Sequence, residues 1–559
     1  MATPVERFPN DAIFTNLVKL RDTVPGVVIY DEYGIEAAYR DLFEDIVNLR
    51  QVLRETLPPD CMDSRGLLRP EAKPVASMTV SIYYFIVSFL TIASLGGASV
   101  PLSSTATLEE TAYSLSKANV CCILFDPWTV NQSAPIKNHI QKSPGQRLHT
   151  IQMHPAERKS TSTKIEIDES LTFPESDTCW IMFSSGTTGQ PKGIAIPRRN
   201  FFFEIQVDPT DLFLTYRPVH WIGSAITPLI NVLVGKKTSG LKRGAGPAHI
   251  WEALKEGIIT RTSLTPVRLK AMQEYYYSTI CQFSSEDQDR YVAGASKLQS
   301  VMSSGSVLNP ATAKFWKNLT NMPIVTAYGI TELGGGVFRT SPRSPFVDGS
   351  IGEPMPNMMV KLSDGDKGQL FVKAPGMFTH YIGDEEATKA AFDEEGFFRT
   401  GDILRREGNQ YIFLGRASSD WIRFSAFTVS VLEVEERLLK LPYVSEAYVL
   451  PVMDYEVRNL IAAVIRVKAD YTEVNLCKIR DDLSSTTESY KLPRLLRILR
   501  EKEVAPLTAS EKGRKNEMRE KYFKVSGYRP NDYFVPGVEF WGNETGSYFI
   551  NPTERVSSS

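Results

Sequence analysis

Residues 179–193 read CWIMFSSGTTGQPKG, and no other stretch limits the chain as much. The apolar run from Cys179 to Phe183 has the composition of a buried strand, and it opens directly into a turn in which hydroxyls and glycines alternate. Ser184, Ser185, Thr187 and Thr188 supply hydroxyls, while Gly186 and Gly189 let the backbone turn its N–H groups toward an anion. Such a loop suits a polyphosphate, with Lys192 as the adjoining cation. It is not the P-loop of ordinary NTPases, whose pattern is G-x-x-x-x-G-K-S/T, because Lys192 here follows Pro191 and precedes Gly193.

At 559 residues the chain is too long for one ordinary core, which predicts several domains or subdomains. Lysine and arginine number 63 against 65 acidic residues, so no global field recruits nucleic acid or an acidic membrane, and a small-molecule partner is expected. Six cysteines without a C-x-x-C pair make neither a disulfide framework nor a zinc site. The first residues lack an apolar core of signal-peptide length and the last three are Ser-Ser-Ser rather than a peroxisomal Ser-Lys-Leu, so the expected location is cytoplasmic.

Residues 80–102 carry no charge and are long enough to raise the question of a membrane span. Gly96, Gly97 and Pro101 break their second half and no basic cluster flanks them, which favours a buried helix running into a short strand. The string LGGAS at 95–99 imitates the serine site of a phosphopantetheine carrier, but that serine needs an exposed helix start and this one lies in the apolar run. Residues 39–53 show helical spacing of Leu42, Phe43, Ile46, Leu49 and Leu53, and residues 80–125 alternate in the manner of a βαβ unit with a parallel sheet. Residues 142–168, polar and rich in Ser and Thr, are expected to form a loop or an edge segment.

The decapeptide 184–193 resembles the phosphate-binding loop of the adenylate-forming superfamily, which includes acyl-CoA synthetases, 4-coumarate-CoA ligases, firefly luciferase and the adenylation domains of peptide synthetases. Further motifs follow in the superfamily's order. Residues 303–308, SSGSVL, resemble the element whose backbone lies along the adenine, which makes Gly305 and Ser306 candidates for nucleotide contact. Residues 327–332, AYGITE, are similar to the motif that supplies a ring for the adenine (Tyr328, followed by Gly329), a hydroxyl for the α-phosphate (Thr331) and a carboxylate for Mg²⁺ (Glu332). Residues 398–402, FRTGD, match the motif whose aspartate, here Asp402, takes the ribose hydroxyls. Gly415 and Arg416 open the segment where relatives join a large domain to a small mobile one, and Arg416 fits a ribose or phosphate contact. Lys512, in PLTASEK, stands in register with the catalytic lysine of the superfamily.

The resemblance implies an α/β fold. A large N-terminal domain over 1–414 would hold parallel and mixed sheets, helices and a small β-barrel, a small mobile α+β domain would follow over 415–525, and an aromatic-bearing extension would end the chain over 526–559. It also implies ATP, Mg²⁺ and CoA as ligands, and activation of a carboxylic acid through an acyl-adenylate. His220 and Trp221 stand where relatives gate the acid pocket, and an apolar pocket with few polar groups suits an aromatic or aliphatic tail. Gly334 and Gly335 either clear a path for that tail or form a flexible turn. The departures are Ser418 or Ser419 at the hinge, Ala426 in place of a glycine, and Glu511 in place of the glycine before Lys512. They keep two alternatives in play: transfer to a separate carrier protein or other acceptor, and a nucleotide-binding homologue with weakened turnover.

Overall fold

The computed structural model of the chain describes residues 5–141, 148–156, 163–184, 191–416, 421–424, 427–454, 458–507, 513–523, 535–541 and 548–549. It divides into two compact units. The first comprises residues 1–186, 190–360 and 372–398, and the second residues 187–189, 361–371 and 399–559.

The first unit is built on two sheets. In the seven-stranded sheet, Pro74–Met78 pairs in parallel with Ala98–Pro101 on one side and Cys122–Phe125 on the other, which realises the expected βαβ arrangement. Thr178–Phe183 lies beside Ala98–Pro101, turns back antiparallel through Gly193–Pro197, and is followed at the edge by His380–Tyr381. The polar region 142–168 contributes the opposite edge strand, His149–Gln152, and a second strand, Lys164–Asp168, that pairs in parallel with Val5–Pro9.

The apolar run at 80–102 is the helix Ile82–Ser94 followed by the strand Ala98–Pro101. Every residue of that helix is buried, and Ser81 caps it by accepting the Tyr84 N–H at 3.2 Å. Among the described residues no helix is long and apolar enough to cross a membrane. Ser99 is fully buried within its strand, as the rejection of a carrier site requires. The amphipathic stretch at 39–53 is the helix Tyr39–Thr56, and it buries the five apolar positions named above.

The second sheet of this unit runs Ser350–Pro354, Gly335–Arg339, Ile324–Ile330, Ser300–Ser304, Arg261–Ser263, Leu212–Thr215, Lys237–Gly240, Ile29–Asp31, Ile35–Ala37. Its strands from Ile324–Ile330 to Ile29–Asp31 are mutually parallel, and antiparallel strands flank this parallel run on both sides. Every sheet among the described residues is open, so the small β-barrel implied by the resemblance is not found. Gly335–Arg339 and Ser350–Pro354 continue the open strand order instead of closing a ring.

In the second unit Phe398–Glu407 and Gln410–Arg416 form an antiparallel hairpin. The strands Val444–Asp454 and Arg458–Val467 form another, and Leu495–Ile498 adds in parallel. Val538–Trp541, from the aromatic-bearing extension, then pairs antiparallel with Leu495–Ile498. The helix Val431–Lys440 packs Val431, Val434 and Leu438 into the core of this unit.

Candidate active site

One antiparallel hairpin holds the two ends of the 184–193 segment together. Phe183 pairs with Gly193, the Ser184 N–H donates to the Lys192 carbonyl at 3.0 Å, and the Lys192 N–H donates to Ser184 Oγ at 3.3 Å. These bonds fix where the loop begins and ends. Ser185, Gly186, Thr187, Thr188 and Gly189 lie outside the described residues. Tyr113, on the helix Leu108–Lys117, donates to the Pro191 carbonyl at 3.1 Å and supports the exit side of the loop.

The second parallel sheet gathers the other candidates of this unit. In parallel α/β sheets ligands sit beyond the carboxyl ends of the strands. His220 and Trp221 follow Leu212–Thr215, Gly305 and Ser306 follow Ser300–Ser304, and Tyr328 to Glu332 occupy the end of Ile324–Ile330 and the short helical turn Thr331–Leu333. Ser304 pairs with Ala327, which sets Gly305 and Ser306 beside Tyr328. Gly305 has φ +93° and open space around a would-be Cβ, and Ser306 beside it is exposed, so the Gly305 backbone faces open space next to an exposed serine. Tyr328 is held edge-to-face by Phe338 at 5.8 Å between ring centroids.

The glycines around this motif answer to packing. A Cβ on Gly329 would lie 2.2 Å from the Gly335 carbonyl oxygen, where the two antiparallel strands shift register. Gly334 has φ +74°, and a Cβ there would meet the Gly376 oxygen at 2.5 Å and Asn200 Oδ1 at 2.6 Å. A Cβ on Gly335 would meet only Ile226, at 3.8 Å. Ile226 belongs to the helix Ile222–Val234, which starts directly after Trp221. The glycine turn is therefore an ordered element. Gly335 alone leaves side-chain space toward the helix that carries the 220–221 segment. His220 and Trp221 meet edge-to-face at 5.3 Å, and burial, reinforced by the Arg243 cation, pushes the His220 imidazole down to about 4.

Glu332 is positioned by groups that its motif does not contain. Its carbonyl accepts the Phe378 N–H at 2.8 Å, and its Oε1 accepts the Tyr381 hydroxyl at 3.0 Å. The other carboxylate oxygen accepts no hydrogen bond from a described residue. Burial, then the Glu332 charge, push the Tyr381 phenol well above the usual tyrosine range. The Lys192 ammonium lies 4.6 Å from the centre of the Tyr381 ring. The contacts of Tyr113 and Tyr381 carry no local signal in the sequence, since each reaches its partner through strand pairing or helix packing across long separations.

Among the described residues no three His, Cys, Asp or Glu side chains gather as a metal site. A lone carboxylate with an open oxygen beside a phosphate loop fits Mg²⁺, which takes one or two carboxylates and completes its shell with phosphate oxygens and water. The chain's own contribution to such an ion would be Glu332.

In the second unit Asp402 and Arg416 are direct cross-strand partners, and Arg416 Nε donates to Asp402 Oδ1 at 2.7 Å. Thr400 Oγ1 accepts the Asp402 N–H and donates to the Leu370 carbonyl, which braces the turn of the motif. Lys512 and Glu511, with Ser418, Ser419 and Ala426, lie outside the described residues. The chain on either side of 508–512 is joined by a bridge between Leu507 and Gly513.

Comparison with known proteins gives this geometry its family. The AMP-binding enzyme family matches residues 61–382. A protein named acyl-CoA ligase oryP, from Aspergillus oryzae, is 32% identical over 536 residues, covering 94% of each chain. Human mitochondrial malonate–CoA ligase ACSF3 is 24% identical, covering 84% of this chain and 85% of that one. Among solved structures, ATP-bound MatB from Rhodopseudomonas palustris superposes with a TM-score of 0.75 at 20% identity, covering 91% and 99% of the two chains. The chain belongs to the AMP-binding enzyme family, as the resemblance of its motifs implied.

Proposed function

We propose that the protein is an AMP-forming acid–thiol ligase, which activates a small carboxylic acid with ATP and passes the acyl group to CoA. The observation that carries this reading is the convergence of the Tyr328-to-Glu332 motif, the Gly305–Ser306 turn and the 220–221 segment at one end of one parallel sheet. The names borne by the relatives, acyl-CoA ligase and malonate–CoA ligase, support the same chemistry.

In the first half-reaction a carboxylate oxygen attacks the α-phosphorus of ATP, the bond to the β-phosphate oxygen breaks, and pyrophosphate leaves. Two anions must meet, so the site has to supply positive charge and in-line placement. Lys512 bridges the carboxylate and the α-phosphate, and Thr331 donates to an α-phosphate oxygen. The loop 184–193, with Lys192, holds the departing pyrophosphate. Glu332 would hold Mg²⁺, which when bound would neutralise phosphate charge. Tyr328, with Gly329, Gly305 and Ser306, seats the adenine, Asp402 accepts the ribose hydroxyls, and Arg416 orients Asp402. His220, Trp221, Gly334 and Gly335 border the acid. His220 and Trp221 offer aromatic surface to an aromatic or aliphatic tail, while Arg217, 5.7 Å from the centre of the Trp221 ring, sets a cation beside them.

In the second half-reaction the CoA thiol attacks the acyl carbon, the acyl–oxygen bond breaks, AMP leaves and the thiol proton is released. Residues from 415 onward act as the mobile part that carries Lys512 in for the first step and away for the second. Acid-dependent exchange of pyrophosphate into ATP, with a panel of aromatic, aliphatic and dicarboxylic acids, tests the first step. CoA-dependent AMP release tests the second. Exchange with at least one acid, lowered about 10²-fold or more in Lys512→Ala, is the expected result. ATP binding without exchange or AMP release for any acid would overturn the reading.

A further inference from the structure

Tyr381 is the one described side chain that touches both the metal-holding candidate and the cation of the phosphate loop. Its hydroxyl reaches Glu332 and its ring carries Lys192, although Glu332 and Lys192 are separated by 140 residues of sequence. The placement is over-determined. Tyr381 pairs with Ile194 across antiparallel strands, and the next backbone N–H, that of Ile382, donates to the Gly193 carbonyl at 2.7 Å. Three residues earlier, Phe378 is bonded through its N–H to the Glu332 carbonyl. The segment 378–382 is thus stapled to the phosphate-loop hairpin at one end and to the Tyr328-to-Glu332 motif at the other. The Tyr381 N–H donates to Thr388 Oγ1 at 2.9 Å, and Phe378 packs on the ring at 4.8 Å between centroids. The side chain is 7% exposed, so its hydroxyl needs a partner and has one.

Any acceptor would satisfy a buried hydroxyl, and the one it meets here is the carboxylate of the motif. Groups that bond to a metal-binding carboxylate set its orientation, and their loss commonly weakens metal affinity 10- to 100-fold. A cation lying over an aromatic face is held by roughly 0.5–1 kcal/mol at exposed sites. We propose that Tyr381 is a positioning residue for nucleotide binding: its hydroxyl aims the Glu332 carboxylate at Mg²⁺, and its ring holds Lys192 over the pyrophosphate end of the nucleotide. The proposal rests on the assignment of Glu332 and Lys192 given above. It separates the two roles by atom, hydroxyl for the metal and ring for the lysine.

Binding of ATP, measured by calorimetry in EDTA and across a Mg²⁺ titration, reads both roles without turnover. The wild type is expected to bind ATP more tightly as Mg²⁺ rises, and Glu332→Gln to lose most of that gain. Tyr381→Phe keeps the ring, so its affinity in EDTA stays at the wild-type value while its Mg²⁺ midpoint moves up about 10-fold. Tyr381→Leu removes the ring as well, and its affinity in EDTA falls roughly 2- to 5-fold. In the Tyr381→Phe/Glu332→Gln double variant the midpoint matches Glu332→Gln alone, because a residue acting through Glu332 has nothing left to act on. A Tyr381→Phe midpoint equal to the wild type, or a Tyr381→Phe effect that persists in full on top of Glu332→Gln, overturns the proposal. A wild type whose Mg²⁺ response is untouched by Glu332→Gln overturns the metal assignment itself, and with it the role given to the hydroxyl.

Discussion

The Asp402 carboxylate, 1% exposed, accepts the Arg416 Nε–H at 2.7 Å directly across a pair of antiparallel strands. Arg416 is more than a third exposed, whereas the carboxylate it bonds is buried. Asp402→Asn keeps the shape and removes the charge. Hydrogen bonds to charged groups contribute about 1.5–3 kcal/mol, so ATP affinity is expected to fall by roughly 10-fold or more. Calorimetry with ATP and with a 2′,3′-dideoxy analogue checks the assignment, since the analogue lacks the hydroxyls and its affinity should be the same in both proteins.

Gly329 and Gly305 sit in neighbouring motifs but tolerate a methyl group differently. Gly329→Ala drives a Cβ into the Gly335 carbonyl, and Gly305→Ala meets only the strain of φ +93°. Overpacking against backbone that cannot yield costs about 3 kcal/mol, whereas a single left-handed alanine costs about 1–2 kcal/mol. Thermal melting should therefore show Gly329→Ala as clearly the less stable of the two. If Gly305→Ala melts lower, the close approach at Gly329 is not what limits that turn.

His220 gives the fold an acid-sensitive component whose sign follows from its depressed value of about 4, against an ordinary histidine near 6.5. Between those limits the unfolded chain takes up a proton that the folded chain refuses, so stability rises with pH across the window. The contribution is complete above about pH 6.5 and is lost as pH falls toward 4. In His220→Phe the melting temperature should fall less between pH 6.5 and 4.5 than in the wild type. Equal slopes would mean that the imidazole is protonated freely in the native state.

The strand Val538–Trp541 is attached by more than its ladder. Arg480 lies over the Trp541 ring at 4.4 Å, Glu539 accepts the Leu476 N–H, and Arg497 donates to the Gly537 carbonyl at 3.2 Å. A chain ending at residue 534 is expected to lower the melting temperature of the second unit by several degrees. Differential scanning calorimetry would show the shift. An unchanged transition would mean that the last strand adds nothing to this sheet.

Local chemistry made much of this legible. The run before the phosphate loop, the helix within 80–102 and the Tyr328-to-Glu332 motif each announce themselves within a dozen residues, because hydrophobic period, glycine content and motif spacing are short-range signals. Pairing between distant segments is not. Nothing around Tyr381 says that it will lie beside Ile194, and nothing around Asn200 says that it will fill the space denied to a side chain at Gly334. The strands at 149–152 and 164–168 are legible only as one of two alternatives, a loop or an edge segment, since edge strands bury little and so show weak alternation. The region of Lys512 is known only by its register with relatives.

The helix Ile82–Ser94 has no face turned to water. Phe85 and Phe89 meet Trp180 of the seven-stranded sheet, while Ser81, at its start, bonds Asp31 of the other sheet and Ile82 closes on Gly240. A helix clamped in this way has no half-docked state, because releasing it from either sheet bares a wholly apolar surface. The two sheets of the first unit are therefore expected to open together. Hydrogen exchange at residues 82–94 should report the global opening of that unit and nothing more local, so its protection measures the stability of that unit as a whole.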